Sequence, residues 1–212
     1  MGTGKNYYLD AQSGNDTAAG TTSATAWKTL SRITAASLSP GDVVALRRGQ
    51  TFTGSATLNG SGTSSAPITV TAFGTGTPPT LSNPTGWNML QLAGSHIDVT
   101  QLRFANGVVF DNADGKGIAS PKYKLSGAVA VTDPAVSAHI HDNEFTQVGL
   151  GVKTYAIGTR INHNSFHAPE DRLQGHGLRY RDLLRSPRRP VHRRTPRALP
   201  GNPLRSAHQR HG

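Results

Sequence analysis

Apolar and polar residues follow a repeating pattern in one stretch of this chain, from His139 to Phe166. The motif Ile-x-x-Asn-x-Phe begins at Ile140 and again 21 residues later at Ile161. A weaker copy begins at Val99, 41 residues before Ile140, an offset that we interpret as close to two further periods. β-branched and aromatic residues that recur at a fixed period of about 20 are typical of a solenoid whose stacked coils share one core. The pattern predicts an all-β fold, a right-handed parallel β-helix with about 20–25 residues per coil.

The chain before this stretch contains shorter strand patterns and one helical pattern. Apolar residues and Thr alternate in Ile68–Phe73, as in a half-buried strand. Trp27, Leu30 and Ile33 recur every third residue and predict an amphipathic helix near 26–36. We expect this helix to cap the first coil, because an uncovered end would expose core side chains and strand edges.

Composition narrows the class of protein. Gly is abundant, at 24 residues, while charged residues make up 16% and aromatic residues 6%, which suits many short strands joined by tight turns. The chain has no Cys, which excludes a disulfide framework and a thiolate metal site. It also lacks a run of 18 apolar residues, so we expect no membrane partner. The first residues, MGTGKNYYLD, do not have the apolar segment of a secretory signal peptide.

Charge is distributed unevenly along the chain. The net charge is +10, but residues 173–212 hold ten Arg and one Asp, whereas residues 1–172 hold 12 basic and 11 acidic residues. The β-strand pattern ends after Phe166, and the remaining residues are dominated by Arg, Pro, His and Gly, as expected when GC-rich DNA is read out of frame. We therefore predict a β-helix domain over 1–170 and an out-of-frame or disordered tail over 171–212, after a frameshift that truncates the solenoid. A genuine basic arm and an RNA-binding tail are the alternatives.

The N-terminal half contains six short motifs: Tyr7–Asp10, Ser13–Asp16, Ala26–Leu30, Pro40–Val43, Arg48–Gly49 and Ala66–Gly76. Together they resemble the opening of secreted β-helix proteins of the pectate-lyase-like superfamily. The resemblance covers roughly residues 6–170 and implies the fold, the cap and an extracellular location. It specifies chemistry poorly, since the superfamily includes polysaccharide lyases, glycoside hydrolases, surface proteins and fibres.

The lyases of this superfamily cleave uronic-acid polymers by β-elimination. A cation neutralises the uronate carboxylate, a base removes the adjacent proton, and a third group protonates or stabilises the leaving oxygen. The resemblance implies that these groups lie on one outer face, that clustered carboxylates bind calcium where a metal is used, and that the base is often Lys or Arg.

The densest group of ionisable residues lies in the repeating stretch and comprises His139, His141, Asp142, Glu144, His163 and His167. The 21-residue register aligns Asp142 with His163, so the two would be vertical neighbours about 4.8 Å apart. Such a pair could bind a metal or act as acid and base. The alternative is that these are solvated polar residues lining a turn.

Candidate roles can be assigned to individual residues. The catalytic candidates are Lys122, Lys124, Arg103 and His163. The substrate-binding candidates are His141, Glu144 and Arg160. The candidate calcium ligands are Asp142, Asp111 and Asp114, although the last two lie in a DNADGKG segment that lacks the glutamate of a full calcium loop. Solvated surface charge is the simpler interpretation of each of these residues.

The repeated Asn and Phe residues predict structure rather than chemistry. Asn143 and Asn164 are expected to form a hydrogen-bonded ladder between coils and to tolerate left-handed backbone at the turn. Phe104, Phe145 and Phe166 are expected to stack in the core.

Taken together, the sequence predicts a carbohydrate-active β-helix protein, a truncated polysaccharide lyase that acts on an acidic polysaccharide. A non-catalytic glycan-binding or structural surface protein is the alternative. Nucleic-acid binding through the basic tail ranks third, because the tail has no aromatic interleaving beyond Tyr180.

Overall fold

A computed structural model describes residues 4–107, 127–132 and 134–167. Fifteen strands lie in this part of the chain, beginning with β1 (Asn6–Leu9). The first coil contains β2 (Val43–Arg47), β3 (Thr51–Thr53) and β4 (Ala56–Leu58). The second contains β5 (Ile68–Phe73), β6 (Thr80–Asn83) and β7 (Leu90–Leu92). The third contains β8 (Ile97–Thr100), β9 (Arg103–Gly107) and β10 (Val129–Val131). The fourth contains β11 (His139–His141), β12 (Glu144–Thr146) and β13 (Val152–Thr154), and the fifth begins with β14 (Arg160–Asn162) and β15 (Ser165–His167).

The strands form three parallel sheets, and each sheet takes strands from successive coils. Sheet A has the order β1-β2-β5-β8-β11-β14, sheet B has β3-β6-β9-β12-β15, and sheet C has β4-β7-β10-β13. A strand therefore pairs only with its counterparts in the coils above and below. This is the parallel β-helix that the repeat predicts, so the fold class is confirmed.

The strand register confirms the 21-residue coil and corrects one interpretation. Ile140 pairs with Ile161, and Phe145 pairs with Phe166. Val99, however, pairs directly with Ile140, so the 41 residues between them make one coil and not two. The extra length lies between the strands, and a corner accommodates an insertion without shifting the pairing of the strands on either side.

The core is a column of apolar side chains, one set per coil. On sheet A, the inward positions Val44, Val70, Val99 and Ile140 have no exposed surface. Ile161, at the same position in the fifth coil, is 43% exposed. Each coil is thus buried by its neighbours on both sides, as expected for a solenoid.

The N-terminal helix is shorter than predicted. A 3₁₀ turn spans Ser23–Thr25 and helix α1 spans Ser31–Ala35, whereas the prediction began at residue 26. Trp27 instead forms a parallel bridge with Leu9, in which its amide donates to the carbonyl of Tyr8. Pairing with β1 therefore outweighs the helical spacing at this position.

The three residues of the predicted helical face are nevertheless buried, although only Ile33 lies within α1. Trp27, Leu30 and Ile33 are all buried. Thr34 on α1 accepts a hydrogen bond from the amide of Thr57 on β4 through its hydroxyl oxygen, at 2.9 Å. Helix α1 therefore covers sheet C at its first strand, and β1 covers sheet A in the same way. Among the described residues, no helix is long and apolar enough to span a membrane.

Asp10, from the first of the N-terminal motifs, holds the cap together. Its carboxylate accepts hydrogen bonds from the amides of Gln12 and Ser13 and from the side chain of Gln50, and it pairs with Arg47 at 3.0 Å. Burial raises the pKa of Asp10, but the hydrogen bonds from Ser13 and Gln50 outweigh it and hold the pKa below its ordinary value. The motif thus supplies hydrogen bonds and an ion pair that stabilise the cap.

Candidate functional site

Ionisable side chains gather on the outer face of sheet A, in the third to fifth coils. Inward positions alternate with outward ones along each strand, so residues next to the core valines and isoleucines face outward. One outward row, in register across four strands, consists of Thr69, Asp98, His139 and Arg160. A second row consists of Thr100, His141 and Asn162. We call these two rows, from Asp98 and Thr100 onward, together with the turn residues Asp142 and His163, the polar patch.

The turn after sheet A has left-handed backbone in each of these coils. Gln101, Asp142 and His163 have φ of 60°, 54° and 52°. The left-handed residue is therefore the one before the repeated Asn and not the Asn itself, which corrects the predicted position. Because the turn reverses the alternation, Ile140 and Phe145 can both face the core although they lie five residues apart.

The predicted ladder is present at this turn. Asn143 Nδ2 donates to the carbonyl oxygens of Val99 at 2.9 Å and His141 at 2.8 Å. Its Oδ1 accepts from the amide of Leu102 at 3.1 Å. Asn164 repeats these contacts one coil later, and its Oδ1 accepts from the amide of Asn143 at 3.0 Å. The ladder fixes the strand that carries the two histidines against both neighbouring coils.

The two histidines lie side by side with a carboxylate. His139 and His141 are two residues apart on β11, so both face outward, and their rings stack with centroids 4.2 Å apart. One ligand atom from each of Asp98, His139 and His141 lies within 4.8 Å of the other two. All three side chains are partly buried, with about a quarter of their surface exposed: 28%, 28% and 23%. Among the described residues this is the only group of three or more such ligands.

Polar neighbours orient both rings. His141 Nδ1 donates to Asp142 Oδ2 at 2.7 Å, and His139 Nε2 donates to Asn162 Oδ1 at 2.7 Å. The amide nitrogen of Asn162 lies 3.3 Å from His163 Nδ1, so the side-chain amide of Asn162 contacts both His139 and His163. The hydrogen bond from His141 holds the pKa of Asp142 below its ordinary value, with smaller contributions from the charges of His163 and His139.

The structure brings together some of the predicted site residues and separates others. His141, Asp142, His163 and Arg160 all belong to the polar patch. Arg103 and Glu144 pair with each other at 3.6 Å and are partly exposed at the start of sheet B, beyond the turn. Lys122, Lys124, Asp111 and Asp114 lie outside the described residues, as do the tail and the frameshift predicted for it, so those assignments remain predictions.

Sequence reasoning missed three members of the polar patch: Asp98, Thr100 and Asn162. The signal for the first two was the 41-residue offset, which places Asp98 beside His139 and Thr100 beside His141 once it is taken as a single coil. Asn162 follows from the 21-residue register, which places it beside His141.

Calcium binding stays a prediction, because Asp111 and Asp114, two of its three candidate ligands, lie outside the described residues. Calcium takes six to eight oxygen ligands, several of them carboxylates. Asp142 is instead surrounded by imidazoles, one of which donates a hydrogen bond to it. A set of nitrogen donors of this kind does not fit calcium.

Comparisons with known proteins show the fold. No protein-family model and no curated protein matches the chain. The chain is similar to the native crystal structure of a GH136 lacto-N-biosidase from Eubacterium ramulus, with a TM-score of 0.61 and 18% identity over 76% of this chain and 34% of that protein. The selenomethionine derivative of that enzyme gives a TM-score of 0.54 at 20% identity, over 78% of this chain and 31% of that protein. A rhamnogalacturonan lyase gives 0.49 at 17% identity, over 78% of this chain and 54% of that protein. The chain thus spans about a third of the length of the biosidase, and the likeness is one of fold.

Proposed function

We propose that the polar patch binds a uronic-acid-containing polysaccharide outside the cell and that the chain acts on it by β-elimination. The observation that carries this proposal is the concentration of imidazole, carboxylate and guanidinium groups on one outer face of three successive coils. The similar fold of the lacto-N-biosidase, an enzyme named for its action on a glycan, supports a carbohydrate substrate.

Cations along this face suit a polymer that carries carboxylates. Arg160 is exposed at the end of the row that contains His139. Arg48 follows β2 in the first coil and donates a hydrogen bond to Gln101 in the third coil. Gln101 has the same position in its turn as Asp142 has in the fourth coil. A guanidinium binds a carboxylate through two parallel hydrogen bonds, so these two residues are suited to bind uronate groups of one chain.

His163 is placed to donate a proton. Its Nδ1 lies 3.3 Å from the side-chain amide nitrogen of Asn162, so Nε2 is the ring nitrogen available to a substrate. In the proposed step a base removes the C5 proton, the C4–C5 double bond forms as the C4–oxygen bond breaks, and His163, in its protonated imidazolium form, gives its Nε2 proton to the leaving oxygen and becomes neutral. Lys122 and Lys124 remain the sequence-predicted candidates for the base.

The test is to incubate the full chain with polygalacturonate and with alginate and to monitor the ultraviolet absorbance of the unsaturated product. We expect His163→Ala to lower kcat by about 100-fold or more, as for the loss of a general acid. His167→Ala, an exposed histidine on β15, is the matched control and should leave kcat unchanged. Lys122→Ala and Lys124→Ala show which lysine, if either, acts as the base. Equal rates for the wild type and His163→Ala would contradict the role of His163.

A non-catalytic glycan-binding protein is the second candidate. The pairing of Arg103 with Glu144 favours it, because a predicted catalytic cation is thereby engaged by a carboxylate. The same assay separates the two functions. Retention of the chain by an immobilised uronic-acid polymer without any unsaturated product would support binding alone.

A further inference from the structure

We propose that Asp98, His139 and His141 bind a divalent transition-metal ion, Zn²⁺, on the outer face of sheet A. Two imidazoles and one carboxylate are a ligand set that zinc accepts. Three side chains of the protein occupy three positions of a tetrahedral site. The fourth position is left for water or for a carboxylate oxygen of a bound molecule. The three ligands belong to the polar patch, but metal binding does not require the proposed cleavage reaction and is tested without it.

The hydrogen bonds around His139 point to a cation between its ring and Asp98. Because Nε2 donates to Asn162, the neutral ring presents the lone pair of Nδ1. That nitrogen lies 3.9 Å from Asp98 Oδ1, which is also an acceptor. Either a proton or a metal ion between these two atoms satisfies both, and a metal ion can also bind His141, whose ring stacks on that of His139 with centroids 4.2 Å apart.

His141 has the arrangement of a metal ligand with a carboxylate behind it. Its Nδ1 donates to Asp142, so Nε2 carries the lone pair of the neutral ring. Metal-binding histidines commonly donate their other ring hydrogen to a carboxylate or carbonyl, which fixes the ring and makes it a better donor. In this site Asp142 has that role for His141, and Asn162 has it for His139.

The fold holds the ligands close to the geometry of a bound state. His139 and His141 project from one three-residue strand, and Asp98 is in register with His139 on the adjacent strand. Zinc–nitrogen bonds of about 2.0 Å place tetrahedral ligand atoms about 3.3 Å apart. One ligand atom from each residue now lies within 4.8 Å of the other two, so side-chain rotations that draw the ligand atoms about 1.5 Å closer complete the site.

The experiment is a titration of the full chain with Zn²⁺ by calorimetry and with Co²⁺ by visible absorption. We expect one equivalent of Co²⁺ to give the intense bands of a tetrahedral site and Zn²⁺ to displace it. His139→Ala and Asp98→Asn should each abolish these bands, whereas His167→Ala should retain them. Asp142→Asn should weaken the affinity by about 10–100-fold, as for other residues that orient a ligand.

Controls address folding and the histidines of the tail. Circular dichroism and the thermal midpoint of each variant establish that it is folded, and Asp98→Asn keeps the size of the side chain. A His208→Ala/His211→Ala variant removes a histidine pair of the tail and should bind as the wild type does. Equal binding by the wild type, His139→Ala and Asp98→Asn would overturn the proposal, as would no binding at all, which would indicate that a proton alone separates His139 and Asp98.

Discussion

At the scale of single residues, Asn143 joins three coils. Its side chain is buried, with 3% exposed, and satisfies backbone groups of Val99, His141 and Leu102. The backbone amide of Asn143 donates to the side-chain oxygen of Asn164 in the next coil. Each group would otherwise be a buried polar atom without a partner, which costs about 1–3 kcal/mol.

Replacing Asn143 with Leu should therefore lower the free energy of unfolding by about 3 kcal/mol, because Leu fills the space but makes none of these hydrogen bonds. Chemical denaturation measured by circular dichroism gives this value. Asn164→Leu is the matched control in the fifth coil, where greater exposure lets water replace the lost bonds, so a loss of about 1 kcal/mol is expected. Equal losses for the two variants would contradict the role of burial in the ladder.

Asp10 predicts how the stability of the cap depends on pH. Its pKa is lowered in the folded protein, so its contribution to stability is fully present above the unfolded value of about 4 and is lost as the pH falls through the folded value. We expect the thermal midpoint of the wild type to fall below about pH 4 and Asp10→Asn to be less stable at neutral pH with a flatter acid profile. Glu144→Gln, which changes a partly exposed carboxylate, should match the wild-type profile. Parallel profiles for Asp10→Asn and the wild type would show that other carboxylates control acid unfolding.

At the scale of elements, the aromatic column on sheet B connects the last three coils. Phe145 stacks between Phe104 and Phe166, with centroids 4.9 Å and 4.8 Å apart. Phe104 and Phe145 are fully buried, whereas Phe166 is 42% exposed. The column therefore supplies both apolar burial and ring stacking to these coils.

Truncation of Phe145 to Ala should destabilise the fold by about 3–5 kcal/mol, as for other buried aromatic side chains. Phe166→Ala removes an identical side chain from an exposed position and should cost less than half as much. Denaturant midpoints of the two variants measure the difference. A larger loss for Phe166→Ala would indicate that the fifth coil stabilises the fold more than the fourth.

The sequence predicts these elements where the coil length is regular. Ile140 and Ile161, or Phe145 and Phe166, are 21 residues apart, so their stacking follows from the repeat alone. The pairing of Val99 with Ile140 does not follow, because a 41-residue coil has the length of two short ones. Because of this ambiguity, the sequence did not predict that Asp98 lies beside His139 and His141. Periodicity alone also could not predict where α1 starts, because Trp27 pairs with Leu9, a residue of β1 that lies 18 positions earlier in the sequence.

At the scale of the whole molecule, the residues that stabilise the solenoid and the residues that form the polar patch lie on opposite faces of sheet A. Inward positions form a continuous apolar core, and a change at an outward position of sheet A leaves that core intact. Ionisable groups on three successive coils therefore add up to one surface without disturbing the fold. The basic tail is the competing explanation for any affinity toward an acidic polymer, because most of the net charge of the chain lies there.

The most direct test of the polar patch as a glycan-binding surface compares it with the tail at equal charge. The affinity of the full chain for polygalacturonate is measured for Arg48→Gln/Arg160→Gln, which removes one arginine from the polar patch and one beside it, and for Arg188→Gln/Arg189→Gln, which removes the same charge from the tail. We predict that the patch variant binds about tenfold more weakly or worse, since it loses charged hydrogen bonds to carboxylates, while the tail variant changes by less than about twofold. Weaker binding by the tail variant, with the patch variant unaffected, would contradict the assignment of the polar patch as the glycan-binding surface.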